Sequence, residues 1–267
     1  MSQAQAQAQA HVLTRRENAV GVMTFNRPES MNTLDLPMIH GMEQALDILE
    51  QDEQVRVIVV TGCDDRTFMA GGNIADLNSR HALSHYKDFT QVLHRVFRRF
   101  EVCAKPVIAA VNGWALGGGA EFMLTTDIRL MAENAKIGLP EIKLGLFPGG
   151  GGSQRLMRQI PLCHAKMLMF TGDFLSAAEA VHIGLVNRAV PQSELMTQTM
   201  ALAHSISEKS PWALKLLKTS MVQGADMPLS AALHHEAATI SLLLQTEDAH
   251  EGCSAFLEKR RPVFKGS

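Results

Sequence analysis

The sequence predicts an α/β fold that ends in a helical extension, and three observations carry that prediction. Val55 to Val60 and Val107 to Val111 are short, nearly unbroken apolar runs, each closed by a glycine as buried parallel strands are. Between them lies a stretch with helical spacing, so strand and helix alternate. Beyond about Pro191 the strand signals stop and helical patterns alone remain.

In chain order, residues 1–10 alternate Gln and Ala without the basic and apolar segments of a secretory signal, and read as a disordered tail. His11 to Arg16 and Gly21 to Phe25 read as strands before the break at Asn26-Arg27-Pro28. A helix follows. Pro37 suits its first turn, and Met38, Ile39, Met42, Ala45, Leu46 and Leu49 recur on one face, while the other face is acidic. After the Val55 to Val60 strand, Tyr86, Phe89, Val92, Leu93, Val96, Phe97 and Phe100 form a second helical stripe, assigned to packing. The C-terminal helical patterns run over Ser193 to Ser207, Trp212 to Val222 and Leu229 to Leu244 and look like a separate module, with no fixed-period repeat.

Composition narrows the function classes. Across 267 residues, 46% are hydrophobic and 19% charged, and no run of 18 apolar residues suggests a membrane span, so a soluble globular protein is expected. A net charge of -2 gives no electrostatic reason to expect nucleic acid as a partner. Cys63, Cys103, Cys163 and Cys253 match neither a CxxC pair nor a zinc spacing and read as reduced thiols. With no export signal read, a cytoplasmic location is the default.

Chemistry concentrates at glycine-rich turns. Ala70-Gly71-Gly72-Asn73 and Gly117-Gly118-Gly119 each follow a strand and open a helix, where backbone N–H groups can approach an oxyanion unobstructed. A lone cluster of this kind is more often a tight turn, but two converging ones would hold an anion. Glu121 lies in the first helical turn after Gly119, a position as compatible with the helix dipole as with catalysis. Glu141, in Gly138-Leu139-Pro140-Glu141, reads as a loop acid before Gly145. A third cluster, Gly149 to Gly152, leads into a helix but lacks the Lys-Ser or Lys-Thr of a P-loop. His81 and His85 have i, i+4 spacing without the Glu of a HExxH site, and read as exposed helix residues, not metal ligands. Neither a GxSxG elbow nor a GxGxxG fingerprint occurs.

These residues together resemble the crotonase, or enoyl-CoA hydratase/isomerase, superfamily. The carriers are Asn26-Arg27-Pro28, Phe68-Met69-Ala70-Gly71-Gly72, the run Asn112 to Glu121, Gly138-Leu139-Pro140-Glu141, the run Phe147 to Leu156, and Ser254 to Arg261 near the C-terminus. The resemblance implies a spiral of ββα units over residues 11–200 and a helical trimerisation region over 201–267. It further implies an enoyl-CoA hydratase, with Gly72 and Gly118 N–H groups as the oxyanion hole, Glu121 activating water and Glu141 delivering the C2 proton. Arg27, Ala70, Gly72, Gly118, Phe256 and Lys259 are the residues it assigns to the CoA thioester, the last two reaching a neighbouring subunit's ligand. No separate cofactor or metal is expected, and the assembly implied is a homotrimer or dimer of trimers. Asn73 stands where many relatives have Asp, and Gly72 where they have Ala. The alternatives are a 3,2-enoyl-CoA isomerase or another acyl-CoA lyase, and an RNA-binding or scaffolding homologue, which the acidic face of the first helix disfavours.

Overall fold

Two sheets form the frame, because the chain supplies two kinds of strand. The computed structural model describes residues 11–80 and 82–267, so the tail 1–10 and His81 lie outside the described residues. The six-stranded sheet runs β1 (Val12–Glu17), β2 (Val20–Phe25), β3 (Val57–Gly62), β5 (Val107–Val111), β7 (Ile128–Ala132) and β10 (Arg188–Val190). The first pair is antiparallel and every later pair parallel. Strands β3 and β5 are apolar on both faces because helices cover them, as parallel sheets require. The second sheet uses three-residue strands in the order β4 (Thr67–Met69), β6 (Trp114–Leu116), β8 (Lys136–Gly138) and β9 (Phe174–Ser176). Three of these four strands end at a segment bearing a predicted site residue.

Helix α1 (Leu36–Gln51) buries Met38, Ile39, Met42, Ala45, Leu46 and Leu49, the six residues its spacing predicts. Asp35 caps it by accepting from Met38 N at 2.9 Å. Its acidic face is not left to solvent: Arg99 of α3 (Gln91–Val102) lies 2.7 Å from Asp47 and 2.8 Å from Glu50, and Arg95 pairs with Glu43. The short α2 (Ile74–Ser79) precedes α3, and α3 extends backward through a helical turn at Ala82–Ser84 and a π-helical turn at His85–Thr90. That π turn rotates the expected stripe: Phe89, Leu93, Val96, Phe97 and Phe100 are buried, Val92 is half-buried, and Tyr86 is exposed, contrary to its assignment to packing.

Strand β3 begins at Val57, two residues later than expected, because Val55 N–H closes a turn onto Asp52 O. Farther on come α4 (Gly118–Met123), α5 (Gly152–Gln159), α6 (Leu162–Thr171) and α7 (Ala177–His182). Phe122 of α4 sits in an aromatic cluster, with edge-on contacts at 5.5 Å to Phe25 and 4.8 Å to Phe100, which gives the helix a rigid floor. Buried Arg129 closes the other end of α4 by donating to Met123 O at 3.0 Å and Leu124 O at 3.2 Å.

The C-terminal helices are α8 (Leu195–Ser207), α9 (Pro211–Gly224), α10 (Leu229–Leu243) and α11 (Glu247–Leu257). Helix α8 packs on β2, β3, β5 and β7, so the first of the helices read as a separate module is part of the sheet layer. Helices α9 and α10 pair as a hairpin that leaves Leu217, Met221, Leu229, Leu233 and Ile240 exposed. Lys218 anchors α9 to the core through a 2.6 Å ion pair with Asp127.

Candidate active site

Three backbone bonds bring together segments that are remote in sequence. Leu34 N–H donates to Gly71 O at 2.7 Å and Asn73 N–H to Leu34 O at 2.9 Å, seating the first glycine turn beside the start of α1. Gly117 N–H donates to Gly138 O at 2.9 Å, which ties the end of β6 to the end of β8 and so brings Glu141 beside the second turn. Gly71 has φ +92 and Gly117 φ +50, conformations that only glycine adopts without strain.

The two turns approach closely. A Cβ at Gly118 would stand 3.6 Å from Gly72 N, and one at Gly71 3.4 Å from Gly118 N, so the two amides lie side by side. Neither the Gly72 nor the Gly118 N–H takes a backbone partner among the described residues. Asn73 caps α2, accepting from Asp76 N at 3.1 Å, which turns the first glycine loop toward the same space.

The space is a cleft of about 900 Å³ whose lining includes Ala70, Gly72, Gly118, Glu121, Glu141, Leu93, His94 and the Phe147 to Gly151 segment. Glu121 is only 3% exposed, and its Oε1 accepts from Gly152 N at 2.7 Å. Burial pushes its carboxyl up to about 7; the Gly152 N–H opposes this, the Glu141 charge adds to it, and the Gly150 N–H and Arg155 charge oppose it. Glu141 stands in a 3-10 turn, Pro140–Leu144, and not in the irregular loop its sequence suggested. Burial raises its carboxyl as well, and its Oε2 is buried without a hydrogen-bond partner among the described residues. Both carboxyls are raised by burial, and Glu121 also by the Glu141 charge, so each holds its proton more tightly than a carboxyl in water. Such a pair can supply one acid and one base at the same time.

The remaining predicted contacts divide. Ala70, Gly72 and Gly118 line the cleft. Arg27 does not: its guanidinium is held 2.7 Å from Asp35, the residue that caps α1. Phe256 and Lys259 lie at the C-terminal end of α11, where Phe256 is 83% exposed, and they are not part of this chain's own cleft lining. Among residues that sequence reasoning missed, His94 contacts Gly149 O at 2.9 Å, and Arg155 joins Glu101 at 2.5 Å while donating to Gly150 O at 3.0 Å. His85, expected to be exposed, is half-buried, lines the cleft and stacks on Phe89 at 5.4 Å. No cluster of three or more metal-ligating side chains occurs among the described residues. No helix of the described residues is long and apolar enough to cross a membrane.

A two-sheet α/β frame that converges two glycine turns, a buried carboxyl and a half-buried one on one cleft defines a protein built to bind an anionic or polarised oxygen beside an acid-base pair. The family model described as enoyl-CoA hydratase/isomerase matches residues 15–267, and the chain belongs to that family. It is 39% identical over 251 residues to the short-chain-enoyl-CoA hydratase of Clostridium acetobutylicum, covering 94% of this chain and 96% of that protein. To the crotonyl-CoA hydratase of Syntrophomonas wolfei it is 38% identical over 257 residues, covering 96% and 98%. Among solved structures, the enoyl-CoA hydratase from Bacillus anthracis superposes with a TM-score of 0.92 at 32% identity, covering 96% of this chain and all of that one.

Proposed function

We propose that the protein is an enoyl-CoA hydratase that adds water across the 2,3 double bond of an enoyl-CoA thioester. The observation that carries this reading is the pairing, in one cleft, of two carboxyls raised by burial with two glycine amides that take no backbone partner among the described residues. Hydration needs both. The Gly72 and Gly118 N–H groups take the thioester oxygen and stabilise the enolate-like charge that builds on it as C3 is attacked, a contribution of about 100- to 1000-fold per donor. Glu121 and Glu141 hold the water between them. Glu121 accepts its proton as oxygen bonds to C3, and Glu141 delivers a proton to C2. The substrate supplies its own CoA, so no further cofactor enters the reaction.

The two hydratases named above act on short enoyl thioesters by their names, and crotonyl-CoA is accordingly the first substrate to try. Loss of the conjugated thioester absorbance supports hydration. An enzyme that leaves crotonyl-CoA untouched but creates that absorbance from a 3-enoyl-CoA would be an isomerase instead.

The same reading takes the assembly to be a homotrimer or dimer of trimers. Its support is the exposed apolar face of α9 and α10 and the exposed position of Phe256. Residues 11–200 would be the catalytic core and 201–267 the oligomerisation region, with Phe256 and Lys259 reaching a neighbour's CoA. A reducing, cytoplasmic setting agrees with four free cysteines.

A further inference from the structure

Three apolar side chains, Leu77, Phe89 and Leu93, form one wall of the cleft. Leu77 marks its thioester end, since a Cβ added at Gly72 would stand 2.9 Å from Leu77 Cδ1. Leu93 stands beside the carboxyl: a Cβ added at Gly150 would lie 3.1 Å from Leu93 Cδ2 and 2.5 Å from Glu121 Oε2. Phe89 is one helical turn before Leu93, is 5% exposed, and has no part in the acid-base chemistry. Its ring is held from behind. The Arg80 guanidinium lies 4.9 Å from the ring centroid, and neither Arg80 nor its partner Asp76 lines the cleft, so the ring separates the cleft from that ion pair.

Arg80 is itself fixed, because Asp76 of α2 takes its guanidinium with both oxygens, at 2.9 and 3.1 Å. His85 stacks on the same ring at 5.4 Å, and a cation and a second ring against it leave the phenyl little room to swing aside. With its charge answered by Asp76 and covered by the ring, Arg80 offers the cleft no anion site, so this wall suits an apolar chain. We propose that Phe89 is the specificity-determining residue at the acyl end of the cleft: a chain running from C3 past Leu93 meets its ring, which sets the longest acyl group taken. Arg80 is the positioning residue that keeps the ring there. The proposal rests on the enoyl thioester reading above, which puts the carbonyl oxygen at Gly72 and Gly118 and C3 at the carboxyls. One helical turn advances about 5.4 Å, room for about four methylenes beyond C3, so the limit falls at about seven to eight acyl carbons.

Saturated acyl-CoA thioesters have no double bond to hydrate, so calorimetric titration of the full chain with them reads the limit without turnover. In wild type, Kd falls about fourfold per added methylene from butyryl-CoA to about octanoyl-CoA, and no further at decanoyl-CoA or dodecanoyl-CoA. In Phe89→Ala it goes on falling through decanoyl-CoA, and Phe89→Leu, the milder change to the fold, moves the limit part of the way. Arg80→Met leaves the ring without its backing and raises the limit by less than Phe89→Ala. The same length dependence in wild type and all three variants overturns the proposal, as does tighter binding by wild type of a carboxylate-ended chain than of the apolar chain of equal length. Failure of every acyl-CoA to bind wild type overturns both this proposal and the thioester reading. A length limit that moves in the variants of a protein that hydrates no enoyl-CoA upholds the role of Phe89 and defeats the hydratase activity alone.

Discussion

Replacing Glu121 with Gln should make the protein more stable in alkaline solution even as it removes activity. Burial pushes the Glu121 carboxyl from its ordinary 4.5 up to about 7. Between those values the folded protein holds a proton that the unfolded chain has released, so stability falls as pH rises through that window and the whole cost is present above it. At 1.36 kcal/mol per pH unit the gap corresponds to about 3 kcal/mol. Gln carries no charge and keeps an amide oxygen for the Gly152 N–H, so about 1 to 3 kcal/mol of pH-dependent gain is expected. Chemical denaturation of both proteins at about pH 5 and about pH 8.5, at one protein concentration, measures it. The variant gains on wild type by that amount on going to the higher pH. Parallel stability curves would refute the claim that an ionised Glu121 is costly in this site.

Three further outcomes follow from the same geometry. Glu121→Gln and Glu141→Gln each lower kcat for crotonyl-CoA hydration by at least about 100-fold with little change in KM, and retention of half of wild-type turnover by either removes that residue from the acid-base pair. Gly150→Ala places a Cβ 2.5 Å from Glu121 Oε2 and 3.1 Å from Leu93 Cδ2, so kcat falls about tenfold or more in a folded protein; unaltered steady-state kinetics would show that the carboxylate's position is not critical. Lys259→Ala weakens acyl-CoA binding by roughly 1 kcal/mol, more at low salt than at high, with kcat nearly unchanged. Light scattering that finds a fully active monomer, or titrations that find unaltered affinity at both salts, would reject the contact between subunits.

The strands and helices were largely legible because they bury one face each. Helix α1 shows this most clearly, since its spacing named all six residues that the structure buries. Tyr86 escaped that logic because a π turn at His85–Thr90 changes the angular step that the spacing assumes. Motif residues likewise marked the site, but not its electrostatics. Glu121 in a first helical turn could equally have faced water; it is buried by the Gly149 to Gly152 turn, which arrives some 30 residues later. Arg27 sat inside a motif, yet its charge goes to Asp35 and the capping of α1. His94 carried no signal, because a polar residue on the outer face of an amphipathic helix looks the same whether or not a carbonyl from another segment comes to meet it.

The central claim is that one cleft joins water to an enoyl thioester with two carboxyls working on opposite ends of the double bond. It is tested most directly by turning over crotonyl-CoA in water enriched in both oxygen-18 and deuterium, with wild type, Glu121→Gln and Glu141→Gln side by side. The account predicts a 3-hydroxyacyl-CoA carrying the heavy oxygen at C3 and one deuterium at C2 from wild type, and neither label above background from the two variants on the same timescale. Label at both carbons from either variant at the wild-type rate would contradict it.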